Sequence, residues 1–188
     1  LQNCGILVTV VRKIQHKKTR RKKLMKTKKL VTSAMVTAIY IVLMYFVQPL
    51  GFGAIQFRVS EGLNHLAVFH KDYKWGVVLG VFLSNLMFSA SLGIYDIVFG
   101  TLHTLISFLV AEQLFRFAKD TKQRLAIISI IFSVMIFIIA LELFWVIQLP
   151  FWMTYLTTFL SELFIMGITA PLFYYLDKRL DFHKMMED

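Results

Sequence analysis

Apolar residues run in long blocks along this chain, separated by short polar turns or by turns carrying glycine and proline. A helix needs about 20 apolar residues to cross the hydrocarbon core of a bilayer, and the region from Leu30 to Asp177 divides into six such pieces. The first is predicted from about Leu30 to Val47 and stops at Gln48-Pro49, with Gly51 and Gly53 beyond it. The second, about Ile55 to His70, is the most polar and leads into Lys71-Asp72-Tyr73-Lys74. The third runs from Trp75 to Ser89 and ends in the turn Ser89-Ala90-Ser91-Leu92-Gly93; the fourth returns from about Ile94 to Phe117. The fifth is predicted from about Leu125 to Ile147, with a turn at Gln148-Leu149-Pro150, and the sixth from about Phe151 to Leu176, where Pro171 is expected to kink it. The expected fold is therefore an all-α integral membrane protein. Residues 1–29 form a basic extension, 30–177 a six-helix membrane domain and 178–188 a tail.

Charge then gives the bundle a direction. Of the 21 Lys and Arg residues, 11 lie between Arg12 and Lys29, 2 are Lys71 and Lys74, 4 lie between Arg116 and Arg124, and 3 between Lys178 and Lys184. With six crossings all of these share one side, and only Arg58 is left over. Positive loops are retained in the cytoplasm during insertion, so both termini are expected inside the cell. The location expected is a cell membrane, of bacterial type, spanned several times.

Composition supports lipid as the solvent: 57% of residues are hydrophobic and 17% charged, and the mean hydropathy is +0.66. The net charge of +10 would otherwise point to nucleic acid, but these cations flank apolar segments and topology already accounts for them; no nucleic-acid partner is expected. The single cysteine, Cys4, closes no intrachain disulfide and has no metal-ligand companion nearby. Residues 1–24 place an apolar stretch before a basic one, the reverse of a cleavable signal peptide. Met25-Lys26-Thr27-Lys28-Lys29 is the expected natural start, which intact-mass measurement would check.

Ionisable side chains inside a spanning helix cost roughly 2.5–3.5 kcal/mol each at its centre, so those that occur need a reason. Glu61, Asp96, Glu142, Glu162, Arg58, His65 and His103 all fall within the predicted crossings. Asp96 and Glu142 are a few residues from the outer turns, Glu61 is somewhat deeper, and Glu162 is about 16 Å down at 1.5 Å per residue. The acids thus gather in the outer half and predict a pocket open to the outside for a ligand bearing amines or ring N–H donors. Helical spacing shows which can converge. Asp96, Gly100, His103 and Ser107 form one stripe of the fourth crossing; Thr154, Thr158 and Glu162 form one on the sixth, with Ser161 beside it.

Arg58 and Glu61, three residues apart, admit two readings: a structural ion pair or ligand contact. His103 likewise serves either a hydrogen bond to a neighbouring helix or a ligand. Tyr73 and Trp75 suit the aromatic belt at one interface, while Trp145 and Trp152 at the outer one either anchor there or stack on a planar ligand.

No HExxH, GxSxG or Cys–His arrangement is present, so no enzyme activity, catalytic residue, metal or cofactor is expected. The GxxxxGK[ST] phosphate loop is absent too, so active transport would draw on an ion gradient or another polypeptide. Ala34-Met35-Val36-Thr37-Ala38 is an AxxxA pattern, with Ser33 and Thr37 on an adjacent line; small residues four apart let another helix approach closely.

That first helix, in a small six-helix protein, resembles the substrate-binding S components of energy-coupling factor (ECF) transporters. More specifically, Phe52-Gly53-Ala54-Ile55-Gln56-Phe57-Arg58-Val59-Ser60-Glu61 and Gly93-Ile94-Tyr95-Asp96-Ile97-Val98-Phe99-Gly100-Thr101 look like signature stretches of the queuosine-precursor transporter family. The resemblance covers about Met25 to Asp177. It implies a subunit that captures a micronutrient outside, docks through Ala34 and Ala38 on a membrane scaffold subunit, and topples to release its cargo as two cytoplasmic ATPases turn over. The implied cargo is a deazaguanine, the aminomethyl or cyano precursor of queuosine. Its guanine edge offers adjacent N–H donors to a carboxylate, and its ring can stack on an aromatic face. Candidate substrate residues are the carboxylates Glu61, Asp96, Glu142 and Glu162 beside Arg58, the neutral partners Gln56, Asn85 and His103, and Trp145 or Trp152 for stacking. Glu142 and Glu162 rest on depth, not on the resemblance. Three competing readings are another vitamin-like heterocycle, a stand-alone proton-coupled carrier using Glu162 and His103 as a relay, and an intramembrane enzyme.

Overall fold

The computed structural model describes residues 24–47, 58–89 and 92–187. Gln56, the Gln48-Pro49 turn and the residues before Leu24, including Cys4, lie outside the described residues. Among the described residues all regular structure is helical. Helix α1 spans Leu24–Val47; a 3-10 segment, Val59–His65, runs into the short α2, Leu66–Phe69; α3 spans Tyr73–Phe88 and α4 Ile94–Leu114. Then follow α5 (Thr121–Met135), α6 (Phe137–Ile147), α7 (Phe151–Leu180) and α8 (Phe182–Glu187). Four stretches are long and apolar enough to cross a membrane: Leu24–Val47, Ile94–Phe117, Thr121–Ile147 and Phe151–Leu180; Tyr73–Phe88 is a shorter apolar helix. Pro171 lies inside a continuous α7, so it does not divide the sixth predicted piece.

The second predicted crossing needs correction, because its described part is no spanning α-helix. From Ser60 to Val68 every residue is buried. Irregular backbone at membrane depth is tolerated where protein, not lipid, surrounds it, and here Gly62 shows how closely it is surrounded. A Cβ on Gly62 would stand 2.7 Å from Thr169 Cγ2 on α7. Counting apolar residues could not foresee this, since it presumes an α-helical rise.

The surface is apolar and the interior carries the polar groups. Phe46, Leu30, Ile94 and Trp152 are all at least 70% exposed, whereas Glu61, Asn64, His65, Asp96, Thr104 and Glu142 are 2% exposed or less. Such an arrangement suits a hydrocarbon surround and would be costly in water. Burying apolar area drives little helix association in lipid, so close packing must supply it. Gly76 and Gly80 of α3 provide that against α1: added Cβ atoms would stand 2.7 Å from Ser33 O and from Tyr40 Cβ. Thr37 Oγ1 also donates to Gly76 O at 2.7 Å. The Ser33–Thr37 line is thereby used internally, and Ala34 and Ala38 are left exposed on the neighbouring face of α1.

Local caps set the turns. Asp120 accepts from Gln123 N at 2.7 Å while Gln123 Oε1 accepts from Lys119 N at 2.7 Å, a reciprocal cap that starts α5 four residues before the apolar run at Leu125. Gln148 ends α6 in the left-handed region, with φ 56°, ahead of Pro150. Between α5 and α6 the helix breaks at Ile136, and two side chains claim carbonyls there. His103 Nε2 donates to Phe132 O at 3.2 Å, and Tyr155 Oη to Val134 O at 3.3 Å.

Ion pairs and cation–π contacts gather the basic segments at one end of the bundle. Lys29 meets Asp72 at 2.6 Å, Lys74 meets Glu112 at 2.7 Å, and Lys122 and Lys178 both lie over the Tyr174 ring. Helix α8 packs there as well, with Phe182 and Met186 buried and Tyr73 Oη donating to Phe182 O at 2.9 Å.

Candidate functional site

The predicted polar stripe on α4 does face inward: Asp96, Gly100, His103 and Ser107 are all buried. On α7 Thr154, Thr158, Ser161 and Glu162 are buried too. What spacing could not show is how the elements interlock around Arg58. Its Nη2 stands 3.2 Å from Asp96 Oδ1, and Asn85 Nδ2 of α3 donates to Asp96 O at 2.8 Å. Gly100 makes room for Asn85: a Cβ there would run into Asn85 Nδ2, while Arg58 Nη1, at 3.7 Å, would be in ordinary contact. Thr104, one turn on, satisfies its hydroxyl on Gly100 O at 3.0 Å.

Glu61 is held on two sides. Tyr40 Oη donates to Oε1 at 2.8 Å, and Asn64 Nδ2 to Oε2 at 2.6 Å. Arg58 is within electrostatic reach of Glu61 as well as of Glu142, so the local pair expected from spacing is part of a wider group whose shortest ion pair runs to α4. Glu162 is within reach of Glu61 and Arg58, and Glu142 of Asp96 and Arg58. Four carboxyl groups from four elements thus surround one guanidinium.

These acids are unequal. Among the described residues, Asp96 Oδ2, both oxygens of Glu142 and Glu162 Oε1 are buried without a hydrogen-bond partner. Leaving a buried polar atom unsatisfied costs about 1–3 kcal/mol, more when it is charged, and four such atoms belong to the three carboxyl groups Asp96, Glu142 and Glu162. Ser60, Ser84 and Ser107 add unpartnered hydroxyls to the same interior. No group of His, Cys, Asp and Glu able to hold a metal ion occurs among the described residues.

The remaining candidates sit differently. His103 has Nε2 committed to the α5 carbonyl, which leaves Nδ1 as its other ring nitrogen. Trp145 and Trp152 are 60% and 77% exposed. Trp145 meets Phe99 edge-on at 6.1 Å and, with Tyr95 and Val146, lines a hollow of about 430 Å³. Trp152 packs against Phe151 at 5.1 Å. Sequence reasoning missed Tyr40 and Asn64, the donors that hold Glu61. Asn64 was findable, being three residues beyond Glu61. Tyr40 shares the Val36–Thr37 face of α1, whose inward direction becomes visible only once α3 is placed.

A family model described as "QueT transporter" matches residues 30–178, a span containing every site residue discussed. The chain is also similar to the queuosine precursor transporter QueT of Lactococcus lactis subsp. cremoris (strain MG1363): 37% identical over 139 residues, covering 70% of this chain and 80% of that one. No solved structure matches the chain significantly. The resemblance carried by residues 52–61 and 93–101 therefore holds, and the chain belongs to the QueT family of transporters.

Proposed function

We infer that the chain is the substrate-capture subunit of an ATP-driven importer and that its cargo is a deazaguanine precursor of queuosine. The observation that carries this reading is the set of buried, unpartnered oxygens on Asp96, Glu142 and Glu162 around Arg58. A deazaguanine supplies what these acceptors lack. Its ring N–H and exocyclic amine donate side by side to one carboxylate, its carbonyl can accept from a guanidinium or amide, and an aminomethyl arm brings a cation to a second carboxylate. Glu61, already held by Tyr40 and Asn64, then serves to fix Arg58 and its surroundings, with Asn85 holding the α4 backbone behind Asp96.

The proposed topology is six crossings with both termini in the cytoplasm. Gathering of the basic segments at one end favours this arrangement, since retention of cations fixes that end inside. The proposed docking surface for a scaffold subunit, which would itself carry two ATPases, is the Ala34–Ala38 face. Its support is that both alanines are exposed while the parallel Ser33–Thr37 line is occupied by α3.

Calorimetry of the purified protein with aminomethyl- and cyano-deazaguanine tests the cargo. Saturable binding that weakens at least tenfold in Glu142→Gln is expected; absence of heat with both compounds would remove the deazaguanine assignment. Uptake into proteoliposomes holding this chain alone would overturn the need for partner subunits.

A further inference from the structure

We propose that the groove between α5 and α7 at the basic end of the bundle binds an anionic phospholipid, whose phosphate sits between Lys122 and Lys178 and whose acyl chain lies in the notch at Gly167, Ala170 and Pro171. The groove has a volume of about 450 Å³, and its walls are mainly apolar, with Leu125, Ala126 and Ile130 from α5 opposite the α7 notch. A Cβ on Gly167 would meet nothing within 4 Å, so the notch is open space beside the helix. Ser129, in the same wall, is already satisfied: its hydroxyl donates to Leu125 O at 2.8 Å and meets His65 Nε2 at 3.2 Å. The floor therefore suits hydrocarbon.

Its mouth suits an anion. Lys122 Nζ and Lys178 Nζ lie 5.4 and 4.7 Å from the centre of the same Tyr174 ring, and Tyr174 is part of the groove wall. The other lysines engaged at this end are neutralised, Lys29 by Asp72 and Lys74 by Glu112, whereas among the described residues neither Lys122 nor Lys178 has a carboxylate partner. The nearby Asp177 carboxylate takes the Phe182 backbone N–H at 3.0 Å. Two uncompensated cations above an apolar slot match an amphiphile of the opposite head charge. Basic pockets between membrane helices recognise lipid headgroups on this principle, and a water-soluble anion would make no use of the slot.

The deciding experiment is the thermal stability of the full chain in neutral detergent with dioleoyl-phosphatidylglycerol, dioleoyl-phosphatidylcholine or glycerol phosphate added, read alongside lipid adducts by native mass spectrometry. Phosphatidylglycerol should raise the melting temperature and persist as an adduct, favoured over phosphatidylcholine by about 30-fold, from roughly fivefold per lysine. Lys122→Gln with Lys178→Gln should remove that preference. Gly167→Leu and, on the opposite wall, Ala126→Leu should each block the adduct with both lysines intact; as both positions are exposed, folding is spared. Equal effects of the two lipids, a full effect of glycerol phosphate alone, or an adduct surviving both groove-filling substitutions would overturn the proposal. So would cross-linking that places a partner protein's helix in the groove.

Discussion

Arg58 Nη2 meets Asp96 Oδ1 at 3.2 Å across two buried elements, while Asp96 Oδ2, the other oxygen of the same carboxylate, has no partner among the described residues. One half of Asp96 anchors the 3-10 segment to α4, and the other half faces the interior beside Glu142. The pair is thus both a structural joint and an edge of the proposed substrate site. Its two roles can be separated experimentally.

Removing one member of a buried ion pair strands the other charge, at a cost of about 3–5 kcal/mol, whereas replacing both by apolar residues is often neutral. Arg58→Met should therefore sharply lower thermal stability in detergent, and Arg58→Met with Asp96→Leu should recover only part of it, because Glu61 and Glu142 have lost the same cation. Substrate binding should be lost in both. Recovery of binding in the double variant would show that neither residue contacts cargo.

Gly100 carries a second prediction, because a methyl group there would strike Asn85 Nδ2. Overpacking of this kind costs about 1–3 kcal/mol. Gly100→Ala should weaken deazaguanine binding at least tenfold by displacing Asn85 from the Asp96 carbonyl. Asn85→Ala in the same background should lessen the packing penalty without restoring affinity, and calorimetry beside thermal melts would separate the two effects.

Much of this arrangement was readable from periodicity. The inward stripes of α4 and α7 appear as residues three and four apart, and both are buried as expected. The joint between Arg58 and Asp96, 38 residues apart, leaves no trace in local spacing. Nor does the 3-10 course of Val59–His65, which depends on Gly62 pressing against Thr169 of a helix more than a hundred residues away. Tyr40 was hidden for a related reason: on a lone apolar helix an inward tyrosine and a lipid-facing one look the same, and only Gly80, which receives its ring, tells them apart. Long-range contact decides what local pattern leaves open.

The two small-residue lines of α1 predict opposite phenotypes. Thr37 is buried and bonded to Gly76 O, so Thr37→Leu should damage the fold itself, lowering the melting temperature of the isolated protein. Ala34 and Ala38 are exposed, so Ala34→Leu with Ala38→Leu should leave melting and substrate binding unchanged while abolishing co-purification with the scaffold subunit. Intact co-purification would contradict the docking role.

Acid should loosen the basic end. Burial alone would raise the Asp72 carboxyl, but the hydrogen bond and charge of Lys29, with His70 and Lys71 nearby, outweigh it and hold Asp72 below the usual carboxylate range. Burial lowers His70, against the opposing charges of Asp72 and Glu187 and with those of Lys29 and His183. In both cases the unfolded chain binds more protons in the affected window, so stability rises with pH. The His70 contribution should fade as pH drops below about 6.5 and the Asp72 contribution below about 4, each by less than about 1 kcal/mol because the pair is partly solvated. Lys29→Met should flatten the lower step and, by removing one of the charges that lower His70, slightly reduce the upper one, as measured by melting temperature against pH.

His103 decides between capture by a subunit and proton-coupled carriage. If it relays protons with Glu162, the imidazole itself is required, and His103→Gln should stop uptake while leaving the fold intact. The contact seen at 3.2 Å gives the ring a different role, since Nε2 donates to the Phe132 carbonyl just before the helix break at Ile136. Glutamine retains an N–H donor on a side chain of similar reach, whereas leucine would leave that buried carbonyl without its side-chain donor, at about 1–3 kcal/mol. The expected order of melting temperatures is therefore wild type, then His103→Gln, then His103→Leu, with partner-dependent uptake preserved in His103→Gln. Uptake abolished by His103→Gln at unchanged melting temperature would instead favour the relay.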